Sequence, residues 1–413
     1  MVTSFSPRHR RRPVLSATAA LLFVLTSLGA LIPGPAIGAS PSVSPSASPP
    51  VLAYYYMWFN AASWTHTKTD LPSLGAYDST DPAIIHQQVA WAKASGVDAF
   101  IASWKHTPTL DTALAELVTE CRTQGMKLVL IYEGLDVNRN PIPAATVGAD
   151  IAWFADNYGS DPVFDVYGKL AVVWSGSWQF SDAQIAGVRT QVGAPDRLLL
   201  LGSEKDAASY TARASLFDGD AYYWSSADPL STPGYQKRLT QLGAAVHADQ
   251  GIWLAPAAVG FDARLNGGTT VIDRRSGDTL RQAWSDALAT APEGVALISW
   301  NEYTENSYLE PSRNYGLQYL QVLASLTGAA GPAAPSATST PTPTPTASAT
   351  PSGSVAAANG GTGPRSPSYG ASLGRSQPPY EWLGSVLVAL ALIAGLAILG
   401  INRRRRTKRG SSD

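Results

Sequence analysis

The segment from residue 51 to residue 326 alternates eight apolar runs with stretches whose apolar residues recur at helical spacing. Asp81-Pro82 and Thr232-Pro233 each place a capping residue before a proline, a pattern typical of helix starts. Eight strands, each followed by a helix, in roughly 275 residues predict a (β/α)8 barrel of the α/β class. The alternative, an open doubly wound sheet, would usually carry a glycine-rich phosphate loop after its first strand, and none is present there. The predicted strands are 51–59, 97–104, 127–133, 170–175, 197–202, 220–225, 253–259 and 294–300.

The last predicted strand leads directly into two carboxylates, Glu302 and Glu305, which are flanked by Trp300 and Tyr303. Paired acids supply the proton transfer and charge stabilisation that cleavage of a glycosidic bond needs. Aromatic rings offer flat apolar faces against which sugar rings pack. The motif therefore predicts a polysaccharide-cleaving site with Glu302 and Glu305 as catalytic residues. The alternative is a surface turn whose acids are simply solvated.

Other predicted strand ends also carry tryptophans and charged residues. In a (β/α)8 barrel these ends share one face, where active sites form. Taken singly, a tryptophan there is often a core residue and an aspartate can cap a turn, so the prediction depends on the set. The predicted substrate-binding residues are Trp58, Trp104, Glu133, Trp174, Trp224, Asp262 and Arg264, together with Trp300, Asn301 and Tyr303 of the motif.

The motif from Trp300 to Glu305 resembles the W-N-E-x-x-E signature of glycoside hydrolase family 99 and its relatives. These relatives include the family 71 α-1,3-glucanases and the WbsX-type proteins of polysaccharide gene clusters. The residues around the second Glu differ from the family 99 endomannosidases, which carry His and Gly where this chain has Thr304 and Asn306. The resemblance covers nearly all of residues 51–326, including 75–79, 96–104, 217–219, 260–264 and 274–277.

The resemblance implies a retaining endo-acting glycosidase on a (β/α)8 barrel that uses no metal. For the α-mannan members it implies that Glu302 acts as base on the sugar 2-hydroxyl, which attacks the anomeric carbon to give an epoxide. Glu305 would protonate the leaving oxygen and then activate water, and Glu133 would contact the substrate. A conventional retaining pair, with one carboxylate as nucleophile, remains open. Two further possibilities are a WbsX-like enzyme of polysaccharide assembly and a non-catalytic glycan-binding surface protein.

The N-terminal residues predict export. Residues 1–39 combine a basic stretch, an apolar run from Val14 to Ile32 and small residues before position 40, as in a signal peptide. An uncleaved anchor is the alternative. Residues 40–50 alternate Ser and Pro and predict an extended linker to the 51–327 barrel domain.

The C-terminal residues predict a membrane anchor. Residues 328–380 are rich in Pro, Thr, Ser and Gly and predict a disordered stalk. Residues 382–401 carry no charge and are long enough for a transmembrane helix. Residues 402–413 are basic, which predicts a cytoplasmic tail. We therefore expect a single-pass cell-membrane protein with its barrel outside the cell.

The charge distribution bears on partners. Outside the predicted leader and tail, acidic residues exceed basic ones by about ten, which disfavours a nucleic-acid partner. No histidine of this part stands at a metal-ligand spacing from a cysteine or another histidine, so we expect neither metal nor cofactor. The expected partners are a polysaccharide or glycan substrate and, through the C-terminal helix, the membrane. We expect a monomer.

Overall fold

The computed structural model describes residues 48–136 and 138–333. The predicted leader, transmembrane helix and cytoplasmic tail lie outside these residues, as do most of the predicted linker and stalk. Within the described ranges, no helix has the length and apolar character needed to cross a membrane.

Eight parallel strands form the sheet at the centre of the fold. Their order is β5-β4-β3-β2-β1-β10-β7-β6. Gly202, which directly follows β5, forms a parallel bridge with Asp220 of β6, so the two ends of this order meet. The predicted (β/α)8 barrel is therefore confirmed. The strands are β1 (Val51–Tyr56), β2 (Ala99–Trp104), β3 (Lys127–Glu133), β4 (Ala171–Ser175), β5 (Leu199–Leu201), β6 (Gly219–Asp220), β7 (Ile252–Ala258) and β10 (Gly294–Ile298).

Helices connect the strands and surround the barrel. The predicted start of α1 is confirmed, since the Asp81 side chain accepts a hydrogen bond from the amide of Ala83 and Pro82 is the first helical residue. A short hairpin of β8 (Phe261–Asp262) and β9 (Val271–Ile272) interrupts the connection from β7 to α7. The helices are α1 (Pro82–Ala94), α2 (Pro108–Gln124), α3 (Ala144–Tyr158), α4 (Asp182–Val192), α5 (Ala207–Arg213), α6 (Tyr235–Ala248), α7 (Asp278–Leu288) and α8 (Gln318–Thr327).

Side chains of β1 alternate between the barrel interior and the layer beneath the helices. Tyr54 and Tyr56 belong to the interior cluster, whereas Tyr55 belongs to the outer one and donates to Gln88 of α1 at 2.6 Å. All six residues of the strand are buried, since a barrel strand is covered on both faces. Full burial of one large apolar side chain contributes roughly 1.5–3 kcal/mol, so both layers stabilise the barrel.

Strand β6 is shorter than its sequence suggests. The sequence predicts a strand over residues 220–225, but the sheet includes only Gly219 and Asp220. Gly219 lies so close to β7 that a Cβ atom there would be 2.1 Å from the carbonyl oxygen of Ile252. The following aromatic residues leave the sheet, and Trp224 stacks on Tyr235 of α6 at a centroid distance of 4.6 Å. Packing against the helix therefore ends the strand.

Candidate active site

Glu302 lies in the loop that follows β10. Its backbone amide donates to the Ser299 hydroxyl at 2.9 Å, and its side chain is 2% exposed. Oε1 of Glu302 accepts hydrogen bonds from the Thr304 amide, at 2.9 Å, and from the Thr304 hydroxyl. Donors that converge on one carboxylate oxygen stabilise the charged form, and they orient Glu302 to act as a base or a nucleophile.

Glu305 lies three residues further along the same loop and is 1% exposed. Its carbonyl oxygen accepts a 2.7 Å hydrogen bond from the amide of Asp262, which ties the loop to β8. Among the described residues, none donates a hydrogen bond to either carboxylate oxygen. Burial raises the pKa of Glu305 well above its usual range, Glu302 raises it further, and Arg139 lowers it. This environment favours the protonated form that a general acid requires.

Glu133 lies at the end of β3 and contributes a third acid. Its Oε1 accepts a 2.9 Å hydrogen bond from the hydroxyl of Ser103 at the end of β2. Lys105, for which the sequence indicated no role, donates to the carbonyl of Leu135 and is half-buried. Burial lowers the pKa of Lys105, while Glu133 raises it, so this cation belongs to the surroundings of Glu133.

Two tyrosine hydroxyls that the sequence analysis missed lie among these acids. Tyr56 and Tyr223 are hydrogen-bonded through their hydroxyl oxygens at 3.1 Å. Burial raises the pKa of both well above the usual range, and Glu302 and Glu305 raise each of them further. Tyr56 could have been found from its place at the end of β1, where alternate residues face the barrel interior.

Arg139 is a further residue that the sequence analysis missed. It lies in the loop after β3 with a φ of 66° and is half-buried. Burial lowers the pKa of its guanidinium to about 10, while Glu133 and Glu305 raise it. The arginine therefore adds a positive charge to the acid cluster. Only the three-dimensional path of the loop places it there, since nothing in the local sequence distinguishes it.

The structure places three of the predicted substrate-binding tryptophans in the core. Trp104, Trp174 and Trp300 are each 0% exposed. Trp104 stacks on Trp153 of α3 at 5.9 Å, and Trp300 packs on Phe100 at 5.2 Å. In these positions the indole rings hold the strands against the helices and offer no face to a sugar.

The other two predicted tryptophans differ in exposure. Trp58 is half-buried and packs on Tyr56 at 4.4 Å, which keeps it next to the acids. Trp224 is 9% exposed, with its ring stacked on Tyr235 and covered by Arg238. Trp58 is therefore the predicted tryptophan that the structure places best for sugar stacking.

Asn301 and Tyr303, also predicted to bind substrate, are buried behind the acids. Asn301 accepts from the amide of Tyr56 at 2.8 Å and donates to the carbonyl of the same residue at 3.0 Å. Tyr303 stacks on Tyr308 at 4.1 Å. Asn301 joins the loop after β10 to β1, and Tyr303 joins it to its own far end, so the two side chains position Glu302.

Asp262 and Arg264 pair with each other at 2.6 Å. The pKa of Asp262 is lowered, chiefly by its hydrogen bonds from Arg264. The side chain of Arg264 is 68% exposed, while that of Asp262 is buried. The pair stabilises the turn after β8. The backbone amide of Asp262 in turn donates to the carbonyl of Glu305.

The site thus combines a buried acid, Glu305, with the hydrogen-bonded carboxylate Glu302 at the end of the last barrel strand. Within the described ranges, no group of three His, Cys, Asp or Glu side chains is arranged to hold a metal ion. The arrangement can perform acid–base chemistry with two carboxyl groups, of which Glu305 is the one held toward its protonated form.

Comparisons with known proteins identify the fold. No protein-family model and no curated protein matches the sequence. A structure of the family GH99 endo-α-mannosidase from Bacteroides thetaiotaomicron in complex with Bis-Tris propane aligns with a TM-score of 0.60 and 18% identity, over 67% of this chain and 96% of that chain. Another structure of that enzyme gives 0.59 and 17%, with the same coverage. A glycoside hydrolase-like protein gives 0.54 and 15%, over 68% of this chain and 94% of that chain. The predicted resemblance to family 99 is therefore confirmed for the fold.

Proposed function

We propose that this chain is a retaining endo-glycosidase that hydrolyses an α-linked polysaccharide of the α-mannan or α-glucan type. The observation that carries the proposal is the buried carboxyl of Glu305, whose surroundings favour its acid form beside Glu302. Both acids follow the last strand of a barrel, at the face where such folds place their catalytic groups. Two structures of similar fold are described as endo-α-mannosidases, which supports this substrate class.

In the proposed reaction, Glu305 donates its proton to the leaving glycosidic oxygen. Glu302 removes the proton of the sugar 2-hydroxyl, and that oxygen attacks the anomeric carbon to form an epoxide. Glu305, now ionised, then takes a proton from water, whose oxygen attacks the anomeric carbon. The epoxide opens as its oxygen takes back a proton from Glu302, which regenerates the sugar 2-hydroxyl, both acids and the original configuration. If Glu302 instead attacks the anomeric carbon itself, the product has the same configuration.

We propose that this reaction takes place at the cell surface. The basic and apolar leader and the uncharged run at 382–401, followed by a basic tail, support this location.

The test is incubation of the purified full-length chain with α-mannans and α-glucans. New reducing ends and the anomeric form of the first product are measured by NMR. We expect cleavage with retention, and a loss of at least about a thousandfold in Glu302→Gln and Glu305→Gln. Glu116→Gln on α2 is the matched control, since Glu116 lies on a helix outside the barrel and should leave the rate unchanged.

Two results would overturn the proposal. Unchanged turnover in either catalytic variant would remove that residue from the mechanism. Binding of a polysaccharide without release of reducing ends from any polymer would show a glycan-binding protein in place of an enzyme.

A further inference from the structure

Three basic side chains lie together on the same face of the barrel as the acids: Arg139, Lys205 and Arg238, here called the basic cluster. Arg139 follows β3 and Lys205 follows β5, while Arg238 extends from α6. Arg139 and Arg238 both lower the pKa of Lys205, although burial lowers it most. Arg139 also acts on Glu305 and Glu133, so the cluster adjoins the catalytic acids.

The basic cluster is only partly balanced by nearby acids, since Glu204 acts on Lys205 while Glu133 and Glu305 act on Arg139. In the part of the chain that the structure describes, none of its three members forms an ion pair, although at least ten other basic side chains do so with carboxylates. Nη1 of Arg139 is buried and has no hydrogen-bond partner among the described residues. Half-buried like charges repel each other and lose hydration, so this arrangement costs free energy that a bound anion would offset.

Both acids next to Lys205 in sequence are already hydrogen-bonded: Asp206 accepts from the amide and hydroxyl of Ser209 at 2.8 and 3.0 Å. Glu204 accepts hydrogen bonds from Arg213 at 3.3 Å and from the hydroxyl of Ser177 at 3.2 Å. Glu204 still raises the pKa of Lys205 against the effect of burial, and Arg238 adds to the lowering of the pKa of Asp206 by Ser209, so the two acids partly offset the charge of the cluster.

Lys205 is held in place by two contacts. Its carbonyl accepts hydrogen bonds from Nε and Nη2 of Arg238 at 3.1 and 2.8 Å. Its ammonium lies 4.3 Å from the ring centroid of Trp178, which is half-buried in the loop after β4. The cation is therefore ordered before any ligand arrives, which lowers the entropy cost of binding.

We propose that the basic cluster is a subsite for an anionic sugar, in which Arg139 and Lys205 bind a carboxylate or phosphate substituent of the polysaccharide. A guanidinium and an ammonium within electrostatic reach of each other suit the oxygens of either group. The inference rests on the proposed glycosidase function, because it makes the chain's substrate an acidic glycan. It assigns the selection of the charged unit to these residues and leaves bond cleavage to Glu302 and Glu305.

The test compares two pairs of polymers that differ only in charge. One pair is phosphorylated α-mannan and the same mannan after removal of its phosphate. The other is α-linked polygalacturonate and its carboxyl-reduced form. Binding to the full-length chain in nonionic detergent is measured by calorimetry in the Glu305→Gln background, so that no polymer is consumed. Lys205→Met and Arg139→Gln test the subsite, and Lys237→Met, an exposed residue next to Arg238, is the matched control.

We expect the charged member of at least one pair to bind about tenfold more tightly than its neutral partner, as one charge-assisted contact provides. The pair that shows this preference identifies phosphate or carboxylate as the group bound. Lys205→Met and Arg139→Gln should each remove most of the preference, and Lys237→Met should retain it. Should a variant fail to fold, salt provides the second measurement. About 0.5 M NaCl should weaken binding of the charged polymer to the Glu305→Gln chain and leave that of the neutral one unchanged.

Equal binding of charged and neutral polymers, or a preference that both cluster variants retain, overturns the anionic subsite and leaves the proposed hydrolase intact. Failure of all four polymers to bind overturns the subsite and counts against a glycan cleft as well.

Discussion

Thr304 donates two hydrogen bonds to one oxygen of Glu302, from its amide at 2.9 Å and from its hydroxyl. Thr304, one of the two residues between the proposed catalytic acids, thus also orients the first of them. This contact gives a physical role to a position at which the sequence differs from the family 99 endomannosidases.

Loss of the Thr304 hydroxyl should slow the reaction. Thr304→Val keeps the shape of the side chain and the amide bond but removes one donor to a charged acceptor, so we expect kcat to fall by about tenfold. Thr304→Ser keeps the hydroxyl and should restore most of the rate. Steady-state kinetics on a cleaved polymer measure both variants, and a Thr304→Val enzyme as fast as the unaltered chain would contradict this role.

Arg274 should be a positioning residue for Glu305. Its guanidinium is buried among the rings of Tyr308, Tyr315 and Tyr319, at 4.4 to 4.7 Å from their centroids. Its Nη2 donates at 3.0 Å to the carbonyl of Asn306, the residue that follows Glu305. Arg274→Met should lower kcat by about tenfold or more with a smaller change in KM, because a misplaced acid impairs the transition state more than binding.

Asn306→Gly is the control for Arg274. Asn306 has a φ of 50°, a conformation that glycine adopts readily; glycine keeps the backbone carbonyl to which Arg274 donates at 3.0 Å and loses only the longer 3.4 Å contact to Oδ1. This variant should keep nearly full activity. A slow Asn306→Gly enzyme together with a fast Arg274→Met enzyme would reverse the assignment.

The pH dependence of the reaction should report the surroundings of Glu305. In the proposed reaction the acid form of Glu305 is the active one, so kcat/KM should fall as pH rises through its raised pKa. Arg139 lowers that pKa, and its replacement in Arg139→Gln should therefore move the alkaline limb to higher pH. A pH–rate profile of both enzymes measures the shift, and a move to lower pH would contradict the proximity of the two groups.

The barrel could be predicted from the sequence because each strand and helix carries its own local pattern. The predicted strand over residues 127–133 matches β3, and the predicted helix start at Pro82 matches α1. The short β6 could not be foreseen, since Tyr222 and Trp224 have high strand propensity but pack against α6. The β8–β9 hairpin was missed because its strands have only two residues each.

The candidate site was only partly predictable. Glu302 and Glu305 could be found because they follow the last strand directly. Trp104 and Trp174 also lie at strand ends. Side chains alternate between the two faces of a strand, however, and these two point outward, beneath the helices. Arg139 was missed because the path of the loop after β3 brings it to the acids. Tyr223 was missed because β6 ends early, which leaves this residue beside the acids. Strand-end position thus predicts which residues are near the face, and side-chain direction decides which of them reach it.

A last prediction concerns Glu310, a buried acid five residues after Glu305. Its carboxylate accepts hydrogen bonds from Nε2 of Gln88 at 2.6 Å and from the hydroxyl of Tyr77 at 3.0 Å. Burial raises the pKa of Glu310 to about 7 from its ordinary 4.5, against the opposing effect of these donors. Between these values the folded protein holds a proton that the unfolded chain releases. Stability from this group is therefore fully present below pH 4.5 and falls as pH rises to about 7.

Glu310→Gln should remove this part of the pH dependence. The free energy of unfolding of the unaltered chain, relative to that of the variant, should fall by about 3 kcal/mol between the two pH values and then level off. Other buried acids with raised pKa values, such as Glu305 and Asp220, titrate in both proteins and cancel in the difference. Urea titrations at pH 4.5, 6 and 8 measure it, with Glu116→Gln as the control that should show no such change. A difference that stays constant across this range would mean that Glu310 is ionised throughout, stabilised by Gln88 and Tyr77 despite its burial.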